Sequence, residues 1–359
     1  MEPMKTGINK FLSKLSLALF LTMLPQFGFA QISDAGNPLD TDFFLDSPDA
    51  TKYAVILAGP SVGEGNQTRF RQWAFSLHDI LVRDYGYSSE TVTLLHDQGA
   101  RDFPGGERID GACDRAGIEQ QFAALRSRVN KGDQLTIFLI GHGSGREEEA
   151  KFNIVGPDIT GIEFAEILDG FEQQDIVIVN TTSASYGFSA ALSSEGRVVI
   201  SSTRSSSEKY DPIFPRYFIE ALDSRNGDLD KNNRVSMLEA FNYAKSNVEK
   251  WYEDQGRLAS EHAGLDDNGD ALFSLNPTME ETDGRLAEIA YIDTLIDTNE
   301  GLTEAAVRLK VSMQDLERSV FILRGHKADF LEADYWQQME ELLVELARTT
   351  GRFNEQLEQ

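Results

Sequence analysis

The chain has 359 residues, with 59 acidic side chains against 33 basic ones, a formal charge of −26 and a single cysteine. An acid excess of this size repels phosphate backbones and speaks against nucleic-acid binding. A lone cysteine excludes an intramolecular disulfide and any Cys-rich zinc site. With 41% hydrophobic and 10% aromatic residues the chain can build a sizeable core, and its length fits one large domain with an appendage, or two domains.

Lys5, Lys10 and Lys14 precede an apolar run from Leu15 to Leu24, followed by Pro25 and Gly28-Phe29-Ala30. This pattern predicts a signal peptide over residues 1–30, and hence an exported product, periplasmic or extracellular. The run is short for a bilayer span, and no second run of spanning length follows, so no membrane span is expected in the mature chain. The alternative reading of the same pattern is an uncleaved anchor. Residues 31–50, with Asp34, Gly36, Asn37, Pro38, Asp40, Asp42, Pro48 and Asp49, read as an acidic linker.

From residue 51 to about 280, short apolar runs alternate with helical patterns. Strands are predicted at 53–58, 91–95, 134–140, 175–179 and 197–201, with helices at 69–85, 118–129 and 162–171 between them. The strand runs are continuously apolar, as in strands covered on both faces. The predicted fold class is therefore α/β: a three-layer sandwich with a mostly parallel sheet, plus a C-terminal helical segment. In such sheets the ligand crevice lies beyond the carboxyl ends of the strands. There the third run ends in Gly141-His142-Gly143-Ser144 and the fourth in Asn180-Thr181-Thr182-Ser183-Ala184-Ser185. A histidine between two glycines is sterically open and suits general acid–base work. The neighbouring hydroxyls could supply a nucleophile; the bland alternative is a tight turn with a hydrogen-bonded histidine and polar caps.

The segments QLTIFLIGHGS (134–144) and DIVIVNTTSAS (175–185) resemble the catalytic core of the legumain/caspase-like cysteine peptidases, with a similarity that covers roughly residues 52–255. The resemblance implies a caspase-like sandwich and peptidase ancestry. It puts His142 on the general base and the nucleophile on Thr182, or on Ser183 if the alignment slips by one. The segment VVISSTRSSSE (198–208), with Ser205 and Ser206, resembles the strand that lines the primary specificity pocket, and Arg69 lies in the other region that contributes to it. Neither Thr182 nor Ser183 is cysteine. A thiol is readily ionised beside an imidazole, whereas a hydroxyl must lose its proton in the transition state. A Cys–His site often lacks the third group that orients histidine in serine triads. The expectation is a catalytically impaired homologue that binds a peptide or protein ligand. An active hydrolase using Thr182 or Ser183 with His142 is one alternative, and a helical interaction module on a vestigial platform is the other. Cys113, in Gly111-Ala112-Cys113-Asp114, lies away from the strand end and is expected to be a free surface or half-buried thiol.

Residues 228–239 (DLDKNNRVSMLE) fit the ladder of an EF-hand loop between helices expected at 212–224 and 236–251. Asp228, Asp230 and Asn232 supply oxygens at positions one, three and five, Arg234 a backbone carbonyl at seven, and Glu239 a bidentate carboxylate at twelve. Asn233 replaces the glycine at six, which asparagine tolerates because it visits the left-handed region. Oxygen-only ligands in an acidic exported chain point to Ca2+. The shorter cluster at 266–270 lacks a closing carboxylate and reads as a turn. Residues 281–359 read as a helical hairpin broken at Gly325, with apolar stripes Leu302, Leu309, Met313, Leu316, Val320, Leu323 and Trp336, Met339, Leu343, Leu346, Phe353, Leu357. Those stripes could pack on the α/β domain, pair with another chain in an oligomer, or hold a partner. His326 reads as a helix-terminus cap, and His262 as a group that could support a neighbouring site residue.

Overall fold

The computed structural model describes residues 43–45, 50–279, 282–294 and 301–357. The expected signal peptide and nearly all of the linker lie outside the described residues. A six-stranded sheet organises the rest. Its strands are β1 (Lys52–Ala58), β2 (Val92–His96), β3 (Gln134–Ile140), β7 (Asp175–Asn180), β8 (Arg197–Ser201) and β9 (Gly264–Asp266), in the order β2-β1-β3-β7-β8-β9. The first five run parallel, and β9 closes the edge antiparallel to β8. Between β3 and β7 a small antiparallel sheet intervenes, made of β4 (Gly143–Ser144), β5 (Lys151–Phe152) and β6 (Ile159–Thr160).

Alternation along each strand divides the core into two faces. Ile56, Phe138, Ile140, Val177, Val179 and Ile200 pack with Phe70 and Leu77 of α1 (Glu64–Asp84), Phe218 of α5 (Phe214–Leu222) and Phe241 of α6 (Met237–Asp254). Val55, Leu57, Ile137, Leu139, Ile178 and Val199 pack with Ile118 and Phe122 of α2 (Arg115–Arg126) and Phe164 of α3 (Gly161–Leu168). Every residue of β3 and β7 is buried, which is why their sequences run apolar without alternating. The three-layer α/β expectation matches this architecture.

Helix starts follow local chemistry. Asp114 caps α2 through a 2.7 Å bond from the Gly117 N–H. Thr160 with Glu163 and Ser236 with Glu239 form capping boxes on α3 and α6. Helix α1 begins at Glu64, earlier than periodicity suggested, because Gly63 takes φ 92° and turns the chain straight off the β1 end. The two-residue strands of the small sheet are too short to carry a period and escape sequence reading.

Beyond the short helices α4 (Tyr186–Ala190) and α7 (Arg285–Ile289), the C-terminal segment forms the expected hairpin, α8 (Glu304–Gly325) and α9 (Glu332–Leu357), with His326 as the C-cap of α8. Its own cluster is small: Leu323, Tyr335 and Met339, flanked by Val320, Phe330 and Leu342. Phe321 instead joins the core of the α/β body, and Arg324 Nη1 lies 3.3 Å from Glu288 Oε1. Of the packing options open in the sequence, α8 thus packs on the α/β body. Trp336, Leu343 and Leu357 of the second stripe stay exposed. Helix α8 also walls a cavity of about 1070 Å³ with Phe44, Ile289 and Tyr291. Among the described residues no helix is long and apolar enough to cross a membrane.

Candidate functional site

The in-register pairing of β1 with β3, from Lys52 opposite Gln134 to Ala58 opposite Ile140, brings both strands to an end side by side. The Gly59 N–H donates to the Ile140 carbonyl at 2.9 Å, so the residues that follow each strand, Ser61 and His142, emerge together. The His142 ring lies between two partners. Its Nε2 is 3.1 Å from Ser61 Oγ, and its Nδ1 is 2.9 Å from Asp211 Oδ1. Phe70 meets the ring edge-on at 5.0 Å between centroids.

Asp211 comes from the loop between β8 and α5. Its other oxygen, Oδ2, accepts from Asn66 Nδ2 at 2.9 Å and from Arg69 Nη2 at 3.0 Å. The hydrogen bond from His142, with the charges of His142 and Arg69, holds the Asp211 carboxyl below its usual range against the opposing effect of burial. The Arg69 guanidinium also donates to Asn66 Oδ1 at 2.7 Å and stands 5.4 Å from the centre of the Trp73 ring. The loop that carries Asp211 is fastened at Glu208. That carboxylate accepts from the backbone N–H groups of Arg204 and His262 and meets His262 Nδ1 at 2.5 Å. His262 therefore supports the loop on which Asp211 sits.

The two hydroxyls placed by sequence at the nucleophile position lie against Gly143. Thr182 is 1% exposed. Its Oγ1 donates to Asn180 Oδ1 at 2.8 Å, and its N–H bonds the same oxygen at 3.1 Å. Ser183, also buried, exchanges hydrogen bonds with the Gly143 backbone, accepting at 3.3 Å and donating at 3.4 Å. Ala184 then turns the chain at φ 49°, its N–H held by the Glu208 carbonyl at 2.8 Å. Gly143 is what admits this approach: a Cβ there would overlap the Ser183 carbonyl oxygen and stand 2.8 Å from Thr182 Oγ1. The predicted pocket residues divide. Arg69 joins the His142–Asp211 cluster, whereas Ser205 pairs with Ser207 at 2.6 Å and half-buried Ser206 lies beside it in the same loop.

Sequence reasoning missed Ser61 and Asp211. The available signal for Ser61 was its place just past a buried strand, the same position that drew attention to His142. Nothing local marks Asp211, whose role comes from a tertiary approach. Cys113 corrects an expectation: it is fully buried rather than a surface or half-buried thiol, because its loop tucks it among Leu95, Ile118 and Phe122. Burial pushes the thiol pKa up and disfavours the thiolate.

In the 228–239 loop, Asp228, Asp230 and Glu239 bring ligand oxygens within 4.8 Å of one another, a cluster that could hold a metal ion. Asn233 takes φ 66° at the sixth position, its N–H bonds Asp228 Oδ2 at 3.0 Å, and the Arg234 N–H bonds Asn232 Oδ1 at 2.8 Å. Glu239 Oε1 accepts from the Leu229 N–H at 2.9 Å, and Oε2 from the Ser236 N–H at 2.9 Å. Burial, then the charges of Glu239 and Asp228, push Asp230 up to about 6. The Arg234 side chain points away, to Asp293 at 3.1 Å and over the Tyr291 ring, which leaves only its carbonyl for a ligand role. The 266–270 segment is a turn, with Asp266 Oδ1 accepting from the N–H groups of Asn268 and Gly269.

The site so described is a strand-end histidine with a serine on one nitrogen and an arginine-braced aspartate on the other, beside a separate carboxylate loop. No family model and no curated protein matches this chain.

Proposed function

We propose that this chain is an exported caspase/legumain-like peptidase homologue, impaired as a cysteine-type peptidase, that binds a peptide or protein segment across the carboxyl ends of β1, β3 and β7. The observation that carries this reading is the state of Thr182. Its hydroxyl is buried and donated to Asn180, and the hydrogen bonds of the His142 ring go to Ser61 and Asp211. A hydroxyl at that position also needs N–H donors for the oxyanion. Two N–H groups beside it are engaged, Gly143 with Ser183 and Thr182 with Asn180. The neighbouring Arg69–Asp211 pair offers a cation and an anion to polar groups of a bound segment, and Arg69 is partly open to solvent.

The carboxylate loop supports Ca2+ as the ion. Its donors are hard oxygens, the left-handed Asn233 supplies the turn that glycine usually makes, and Glu239 lies where a bidentate ligand closes the site.

Fluorescence anisotropy with a labelled mixed peptide pool tests the binding reading. Saturable binding, weakened in Arg69→Ala, is expected. Absence of binding overturns it, as does peptide cleavage that needs Thr182 and His142 yet survives Ser61→Ala.

A further inference from the structure

The crevice holds a hydroxyl better placed than either strand-end candidate. We infer that Ser61 is the nucleophile of an acyl-transfer site in which His142 is the general base and Asp211 positions it. The inference rests on the proposed crevice but moves its chemistry from the end of β7 to the end of β1.

Three observations carry it. With Nδ1–H donating to Asp211 Oδ1 at 2.9 Å, the His142 Nε2 is the acceptor for the Ser61 hydroxyl at 3.1 Å. The aspartate is fixed by Asn66 and Arg69 through its other oxygen, so it fixes the tautomer and orientation of the ring. Second, Ser61 is only half-buried, whereas Thr182 and Ser183 are closed to solvent. Third, Ser61 lines a recess of about 120 Å³ with Gly59, Phe70, Arg71, His96 and Phe103. The recess has room for a small acyl group.

The first turn of α1 follows within three residues of Ser61. Its N-cap Gly63 provides no capping side chain, and a Cβ at Gly63 or Gly65 would find no atom within 4 Å. The first N–H groups of that turn, at the positive end of a 21-residue helix, thus receive no side-chain cap from Gly63. They are the donors available to a developing oxyanion.

The chemistry balances with water alone. Ser61 Oγ bonds the carbonyl carbon of an ester or amide as its proton passes to His142 Nε2. The bond from that carbon to the leaving oxygen or nitrogen breaks, and the leaving group takes the proton. Water then attacks the acyl-serine, gives a proton to His142, and releases the acid as Ser61 Oγ regains its hydrogen.

The test uses a fluorophosphonate probe, peptide mapping of its adduct, and p-nitrophenyl acetate hydrolysis. One phosphonyl adduct on Ser61 is expected, forming at least about 100-fold more slowly in His142→Ala. Asp211→Asn is expected to slow labelling and displace the pH profile, with partial recovery in Asp211→Glu. In Ser61→Cys, iodoacetamide alkylation is expected to show a pH midpoint below the roughly 8.5 of a free thiol. No adduct, an adduct on another residue, labelling indifferent to His142→Ala, or an unshifted thiol midpoint each overturns the inference. Peptide binding without labelling removes the Ser61 inference alone, and labelling without peptide binding removes the binding proposal alone.

Discussion

Gly143→Ala is the substitution that most directly probes how the crevice is assembled. The residue is not in the left-handed region, so the added methyl brings no backbone strain, and its whole effect is steric. The methyl would overlap the Ser183 carbonyl oxygen and reach 2.8 Å from Thr182 Oγ1, against about 3.4 Å for ordinary contact. Neither neighbour yields easily. Ser183 is tied to Gly143 itself, and Thr182 is held by Asn180 on one side and by the Ser202 hydroxyl at 2.7 Å on the other. The ends of β3 and β7 must separate, at the 1–3 kcal/mol or more typical of overpacking. About 3 kcal/mol lowers Tm by roughly 4 °C in a chain of this size. The control is Gly351→Ala on the exposed face of α9, where a Cβ meets nothing within 4 Å and helix propensity gains about 1 kcal/mol. Paired urea denaturation curves read both. A Gly143→Ala protein as stable as the parent would refute the close approach of the two strand ends.

Calcium at about one hundred times its Kd is expected to raise unfolding free energy by about 2.7 kcal/mol. Glu239→Gln should abolish both this gain and the calorimetric signal while keeping the helix cap, since glutamine also serves in a capping box; no heat of binding in the parent removes the assignment. Asp175 is buried at the start of β7, where burial pushes its pKa up to about 7 against the opposing Phe44 N–H and Lys52. A carboxyl raised from 3.8 favours the folded state in its protonated form, so its contribution is full below 3.8 and is lost as pH rises through about 7. Asp175→Asn, which keeps the acceptor for the Phe44 N–H, should therefore leave stability unchanged near pH 4 and raise it by up to about 4 kcal/mol above pH 8. Denaturation showing equal gains at both pH values contradicts this account.

What the sequence revealed and what it hid divides along the range of the interactions. The runs 134–140 and 175–179 are legible as covered strands because their residues are mostly apolar without alternation, and the structure buries them all, Gln134, Thr136 and Asp175 included. The cluster of Asp228, Asp230 and Glu239 is legible because its spacing is local, and Asn233 beside it takes a left-handed conformation. The Ser61–His142 pair joins residues 81 positions apart, and no local pattern encodes it. Burial of Cys113 was hidden for a related reason: a loop residue shows no periodicity, and only the packing of β2 against α2 decides its fate. The hairpin stripes illustrate the converse. Their spacing gave the helices correctly, yet Trp336 and Leu343 remain exposed, because periodicity identifies an apolar face without supplying what covers it.

On the peptidase-homologue reading proposed above, Asp211 bears on how a hydroxyl could serve where that family uses a thiol. A cysteine beside an imidazole ionises without help, so a Cys–His pair needs no third group. A hydroxyl is different: it must be deprotonated in the transition state, and the imidazolium that forms then needs an anion fixed on its other nitrogen. This chain has no cysteine near His142 and does have such an anion, held ionised by the His142 hydrogen bond and the Arg69 charge. Two partners on opposite nitrogens of one ring, supplied by separate loops at the carboxyl ends of the strands, form the arrangement that hydroxyl chemistry requires. Hence Asp211→Asn is the decisive variant. If Asp211 serves only to close the loop between β8 and α5, an uncharged side chain of the same shape should leave the pH profile of Ser61 labelling where it was.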